Sequence, residues 1–152
     1  MEETIDTNST SISLTFLCTD QYAGLIIGKG GSNIKQITQQ SKCKIILKGK
    51  MGGIRHLQIT GKPDNITEAI ELIAKTIQSF QHGPQDLDQK NPDNPILLLM
   101  LLPREVSGAV IGKYGSNIKN IRTISKAFLK IVGDKTQEIK YDTLYLEGIN
   151  YI

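Results

Sequence analysis

Apolar and polar residues alternate from Ser11 to Cys18, with Ile12, Leu14, Phe16 and Cys18 at every second position, a period that predicts a half-buried strand. Gln21 to Ile27 reads as a short helix. Ser32 to about Gln40 reads as a second, with Ile34 and Ile37 on its inner face. Lys42 to Lys48 predicts a second strand, Gly49 to Gly53 a flexible connection, and Arg55 to Thr60 a third strand ending at Gly61. Pro63 suits the first turn of a helix, where its missing N–H costs nothing, and Asp64 and Glu68 suit that helix's positive end. Ile66, Ala69, Ile70, Ile73, Ala74 and Ile77 then mark one face at helical spacing, up to about Phe80, as expected of a helix that covers the sheet.

The pattern then stops and restarts. Residues 81–95 carry Gly83, Pro84 and Pro92 among Asp, Asn and Gln, and read as a linker. About fourteen residues of flexible coil span roughly 20 Å on average. From Ile96 to Leu102 the apolar run is denser, and Pro103 is expected to begin the helix that leads to Ile111. The stretch Gly24 to Ile37 recurs as Gly108 to Ile121 at an offset of 84, with ten of fourteen positions identical. That offset persists through the second strand, pairing Ile45 with Leu129 and Leu47 with Ile131, and grows to 87 at the third, where Leu57 pairs with Leu144. Three residues are therefore inserted between those strands, as a surface loop tolerates.

The repeat divides the 152 residues into a polar tail at 1–10, a domain at 11–80, the linker at 81–95 and a second domain at 96–152. A counterpart to the helix at 63–80 is expected to begin near Asn150, yet the sequence stops at Ile152. Either the chain is truncated there, or the second domain is expected to lack its C-terminal helix and to leave apolar sheet in need of cover from the first domain or a partner chain.

Each repeat places a Gly-x-x-Gly loop with one lysine after a short apolar run, then a serine suited to capping the helix that Asn-Ile-Lys begins. Glycine reaches dihedrals closed to other residues and lets bare backbone approach a ligand. The loop runs into a helix N-terminus, where unpaired N–H groups favour a phosphate, and Lys29 and Lys113 add charge beside it. Two other phosphate loops are excluded. A Walker A loop needs four residues between its glycines and then Lys-Ser/Thr, whereas three separate Gly24 from Gly28 and Gly30 follows Lys29. The dinucleotide fingerprint would require glycine at Asn33, and Tyr114 breaks even its first part in the second copy.

Charge and composition narrow the partner. A net charge of +3 falls short of a strongly basic duplex-DNA binder, and 5% aromatics with no tryptophan argues against a surface that grips bases mainly by stacking. Cys18 and Cys43 fall in predicted strands and read as small buried hydrophobes rather than a disulfide, which fits a reducing compartment. No apolar run reaches membrane-spanning length and the acidic start is not a signal peptide, so an intracellular protein of cytoplasm or nucleus is expected. Neither His56 nor His82 has a repeated carboxylate or cysteine partner, so no catalysis, metal or cofactor is expected.

At Ile27-Gly28-Lys29-Gly30-Gly31 and Ile111-Gly112-Lys113-Tyr114-Gly115 the chain resembles the K-homology (KH) domain family, whose signature is an Ile-Gly-x-x-Gly core ahead of a second helix. The order strand, helix, loop, helix, strand, strand, helix is that of the eukaryotic type I fold. The resemblance implies an α+β protein of two domains, each a three-stranded antiparallel sheet with helices on one face. It also implies a groove for about four unpaired nucleotides of single-stranded RNA, or of single-stranded DNA, with no cofactor. In the first domain Gly28, Lys29, Gly30 and Gly31 would take phosphates, Gly24, Ile27 and Ile34 would form one apolar wall, and the strand Lys44, Ile45, Ile46 and Leu47 the other. Arg55 sits where the family often places an arginine beside the bases. Ile27, Ile34 and Ile45 also read as core, and Lys44 and Arg55 equally as solvated charges.

In the second domain the resemblance carries over to Gly108, Ile111, Gly112, Lys113, Tyr114, Gly115 and Ile118, and to the strand Leu129, Lys130 and Ile131. Tyr114 is either an exposed phenol or a sugar-stacking group. Similarity to tandem regulators of the poly(C)-binding protein class implies control of messenger RNA. The alternative is an interaction scaffold, a homodimer or partner-protein contact made through the second domain.

Overall fold

Strand β1 (Ile12–Thr19) pairs antiparallel with β3 (Ile54–Gly61), and β3 also pairs antiparallel with β2 (Lys44–Met51), which leaves β3 in the middle of a three-stranded sheet. Between β1 and β2 come α1 (Asp20–Ile27), a 3-10 turn (Lys29–Gly31) and α2 (Ser32–Ser41), and α3 (Pro63–His82) follows β3. The second unit repeats this order with β4 (Ile96–Pro103), α4 (Arg104–Ile111), a turn (Lys113–Gly115), α5 (Ser116–Ser125), β5 (Phe128–Val132) and β6 (Tyr141–Gly148), with β6 between β4 and β5. The computed structural model describes residues 10–82, 96–133 and 140–148, and the chain separates into units Met1–Asp86 and Leu87–Ile152. The linker at 83–95 and the expected break after Gly148 lie outside the described residues. Among those described, no helix is long and apolar enough to cross a membrane.

Alternation decides which side chains meet the helices. Paired residues of adjacent strands share a face, so buried Leu57 and Ile59 of β3 define the covered side, together with Phe16 and Leu14 of β1 and Leu47 and Ile45 of β2. Ser13, Thr60 and Gln58 occupy the other side, where Gln58 Nε2 donates to Ser13 Oγ at 2.9 Å. Helix α3 closes the core by burying Ile66, Ala69, Ile73 and Ile77. Each fully buried aliphatic side chain of this kind contributes about 1.5–3 kcal/mol.

The second unit has a thinner core. Leu102, Ile118, Leu129 and Leu144 form its buried cluster, with Met100, Val110, Ile131 and Leu146 packed around them. Ile37, which α3 helps to bury to 4% exposure, corresponds to Ile121 at 42%, and Gln40 corresponds to Ile124 at 75%. Among the described residues of the second unit no helix stands over that face.

Several boundaries differ from the sequence reading for local reasons. The second strand begins at Lys44 because Lys42 takes the left-handed conformation (φ 58°) and Cys43 N donates to Ser41 Oγ at 3.3 Å, a turn that ends α2. Strand β2 also runs to Met51, past a register shift after Lys48, so the expected flexible connection shrinks to Gly52 and Gly53. Pro103 closes β4 instead of opening the helix, which starts at Arg104.

Ile59→Ala should lower the stability of the first unit by about 2–5 kcal/mol, the cost of a lost side chain plus a residual cavity. Ile124→Ala should change stability by under about 0.5 kcal/mol. Urea unfolding of the two variants checks the contrast.

Candidate nucleic-acid interface

Helix α1 ends because Gly28 turns to φ 72°, ψ 176°, a conformation that is in practice open only to glycine. Its N–H donates to Gly24 O at 2.9 Å, closing the helix, and Gly31 N donates to Gly28 O at 3.2 Å. A Cβ at Gly28 would lie 2.6 Å from Asn33 Cγ, closer than any packing allows. Gly30 and Gly31 follow in the left-handed region at φ 62° and 77°. The second loop repeats this, with Gly112 at φ 73°, ψ 173°, and an added Cβ there would meet Asn117 Cγ at 2.8 Å.

Asparagine, not serine, stitches the loop. Ser32 is expected to cap α2, yet it is the first helical residue, and the cap position belongs to Gly31, which has no side chain to offer. Asn33 Nδ2 instead donates to Leu25 O at 2.9 Å, and Asn117 Nδ2 to Ala109 O at 2.8 Å, tying the second helix of each pair to the last turn of the first. This role was readable only as the repeated Ser-Asn-Ile-Lys, with no sign of which residue did the work.

The tip of each loop carries amides with no internal acceptor among the described residues: Lys29 and Gly30 in one, Lys113 and Tyr114 in the other. All four residues are exposed. Such a pair of outward N–H groups at a helix start, with a lysine beside it, is an anion-binding arrangement. Beside the first tip, Gly24 is exposed and Ile27, Ile34, Ile45 and Leu47 are half-buried on the helix side of the sheet, so they can serve as core and as an open apolar wall.

Other expected members do not join them. Lys44 and Ile46 pair with Thr60 and Gln58, which turns their side chains to the sheet face away from the helices, and Lys130 opposite Tyr145 does likewise. In the second unit Ile118 and Leu129 are buried to 8% and 4% in the core cluster, which leaves Gly108, Ile111 and Ile131 as the accessible apolar surface. A small cavity in the first unit runs between α2 and α3 from Asn33 and is lined also by Gln36, Gln40, Lys75 and Ser79.

Arg55 proves to be half of a structural pair. Its Nε sits 3.3 Å from Asp20 Oδ1 at the start of α1, where Asp20 N also donates to Gly53 O at 3.0 Å. The second unit keeps this clasp with its charges exchanged: Arg104 opens α4 with Nε 3.6 Å from Asp142 Oδ1, and Arg104 N donates to Lys140 O at 3.0 Å. Burial pushes the neighbouring Cys18 thiol up, an effect that the Arg55 guanidinium partly opposes. Among the described residues no group of His, Cys, Asp and Glu could hold a metal ion.

A profile of KH domains matches residues 13–75 and 98–151, one copy in each unit. The chain belongs to the KH domain family. Its α+β units have the type I order, and membership makes it a nucleic-acid-binding protein with a tandem repeat. Far upstream element-binding protein 2 of Homo sapiens is 28% identical over 138 residues, covering 88% of this chain and 19% of that protein. Far upstream element-binding protein 1 of the same species is 30% identical over 125 residues, covering 81% and 19%. PAB1-binding protein 2 of Saccharomyces cerevisiae is 28% identical over 126 residues, covering 82% and 30%. The chain thus spans about a fifth to a third of the length of these relatives. Among solved structures, the first KH type I domain of human Vigilin matches 55% of this chain and 92% of its own, at 19% identity and a TM-score of 0.43.

Gly28→Ala should destabilise the first KH domain by several times as much as Gly30→Ala, whose Cβ would meet open space and cost only the left-handed penalty of about 1–2 kcal/mol. Thermal unfolding of both variants tests it. Arg55→Asp alone should destabilise this domain, and adding Asp20→Arg should restore most of the loss, since the second domain already folds with that polarity. A double-mutant cycle in urea measures the coupling, expected at up to about 1 kcal/mol for a pair this exposed.

Proposed function

We propose that each KH domain holds a short unpaired stretch of RNA, its phosphates on the loop tip and its bases against the apolar wall. The supporting observation is the pair of exposed tip amides, Lys29 with Gly30 and Lys113 with Tyr114, standing where α2 and α5 begin. Gly28 and Gly31, like Gly112 and Gly115, shape that tip, and Lys29 and Lys113 supply charge to the phosphates. Gly24, Ile27 and Ile34 face the bases on one side, with Ile45 and Leu47 on the other. Gly108, Ile111 and Ile131 take these places in the second domain.

On edge strands β2 and β5, the main-chain N–H and C=O groups of alternate residues face the open margin. Such groups can hydrogen-bond a base's Watson–Crick edge, which is free only in an unpaired strand. Arg55 and its Asp20 clasp stand at the far end of α1, about 12 Å from the loop by helix rise, within the span of a four-nucleotide segment. The Far upstream element-binding proteins are named for binding a far upstream element, and single-stranded DNA is the alternative ligand of the proposed groove. Two such sites on one chain bind a longer strand with avidity, at an effective concentration of around millimolar when both engage. Control of messenger RNA is the role this activity would serve.

Lys29→Asp with Gly30→Asp should abolish binding of single-stranded RNA by the first domain while the domain stays folded, its stability lowered by no more than the left-handed penalty of about 1–2 kcal/mol at Gly30, as fluorescence anisotropy and calorimetry would show. Unaltered affinity would refute the loop as the phosphate site. In the unmodified chain, log affinity should fall linearly with log salt, with a slope of about −0.7 for each phosphate neutralised.

A further inference from the structure

The two loops have the same backbone but not the same surface. Gly30 is at φ 62°, ψ 20°, and Tyr114 in its place at φ 55°, ψ 27°. A left-handed backbone is ordinary for glycine and strained for a bulky residue. The first loop shows that glycine builds this turn with the same closing bond, Gly31 N to Gly28 O against Gly115 N to Gly112 O. Tyrosine therefore adds strain at this position without being needed to make the turn.

Among the described residues, little offsets that strain. Tyr114 is 90% exposed, and its one recorded partner among the described residues is the ammonium of Lys113, 5.7 Å from the ring centroid. A Cβ at Gly30 would meet no atom within 4 Å, so a side chain at this loop position projects into open space beside the tip amides. A strained, solvent-facing aromatic ring at an anion-binding tip has its favourable contacts outside the molecule. Lys113 covers one ring face and the tip amides stand next to it, so a strand whose phosphate reaches this tip brings a sugar and base to the ring. Of those two, the planar base matches the face of a phenol ring.

We infer that Tyr114 forms a base-stacking subsite on the second loop, absent from the first, which makes the two KH domains unequal readers of a single strand. The inference rests on the proposed phosphate-binding role of that loop. It assigns to the second domain an aromatic grip that its few open aliphatic residues do not provide.

The test uses the full chain with its first loop silenced by Lys29→Asp and Gly30→Asp, titrated against fluorescein-labelled single-stranded RNA of eight nucleotides and random sequence. Tyr114→Gly in that background should weaken binding about five- to 150-fold, the range found when a base-stacking aromatic is removed, with Tm equal or raised because the strain is gone. Tyr114→Phe should bind like the parent, and Tyr114→Leu like the glycine variant. Equal or tighter binding by Tyr114→Gly, or leucine performing as well as phenylalanine, would overturn the subsite. If the silenced chain fails to bind while the intact chain binds, the tyrosine has no ligand and the inference falls, with the first loop's role intact. Failure of the intact chain to bind any single strand would overturn the proposed function itself.

Discussion

The geometry of both domains turns on the contact between a glycine and an asparagine five residues later. At Gly28 the chain must leave α1 and re-enter a helix within three residues, and it does so through a dihedral pair that a side chain would forbid. Asn33 then fills the space that a Cβ would have occupied and bonds back to Leu25 O. The bend and the stitch need each other: without glycine the asparagine has no room, and without the asparagine the two helices lose their polar tie. The consequence is an exposed loop tip at which the Lys29 and Gly30 amides have no internal acceptor among the described residues. Gly112 and Asn117 reproduce the same constraint.

On that shared frame the two KH domains have diverged wherever the frame permits. The clasp between the first helix and the sheet requires opposite charges but not a given polarity, and it appears as Asp20 with Arg55 in one domain and Arg104 with Asp142 in the other. The loop position that meets only open space holds glycine in one and tyrosine in the other. At the positions that α3 covers in the first domain, the second has Ile121 and Ile124 exposed among its described residues. Buried positions show the opposite behaviour: Phe16, Leu57 and Ile59 have aliphatic counterparts at Met100, Leu144 and Leu146.

On the proposed function, these differences bear on how each domain would hold a strand. The first domain combines a bare loop with partly open isoleucines on both walls, so close approach of backbone to phosphate would dominate there. In the second, Ile118 and Leu129 are drawn into a small core that cannot spare them. Its apolar wall is correspondingly reduced, and an exposed ring stands at the loop instead. A thin core and a thin wall have one cause, since a domain of this size uses the same side chains for both.

Periodicity and repetition determined by themselves the order and type of the described strands and α-helices and the position of the glycine loops. Gly24 to Ile37 against Gly108 to Ile121 was legible because the same short-range demand recurs in one chain. The tertiary structure alone decided what depended on partners distant in sequence. Asn33 displaced Ser32 as the loop's anchor because Leu25 O lies across the bend. Lys44, Ile46 and Lys130 turned away from the helices because strand register, set by pairing with β3 and β6, assigns alternate residues to opposite faces. Arg55 became half of a clasp because Asp20, thirty-five positions earlier, lands beside it. A sequence displays its periods openly, whereas the meeting of two remote side chains exists only once the chain has folded.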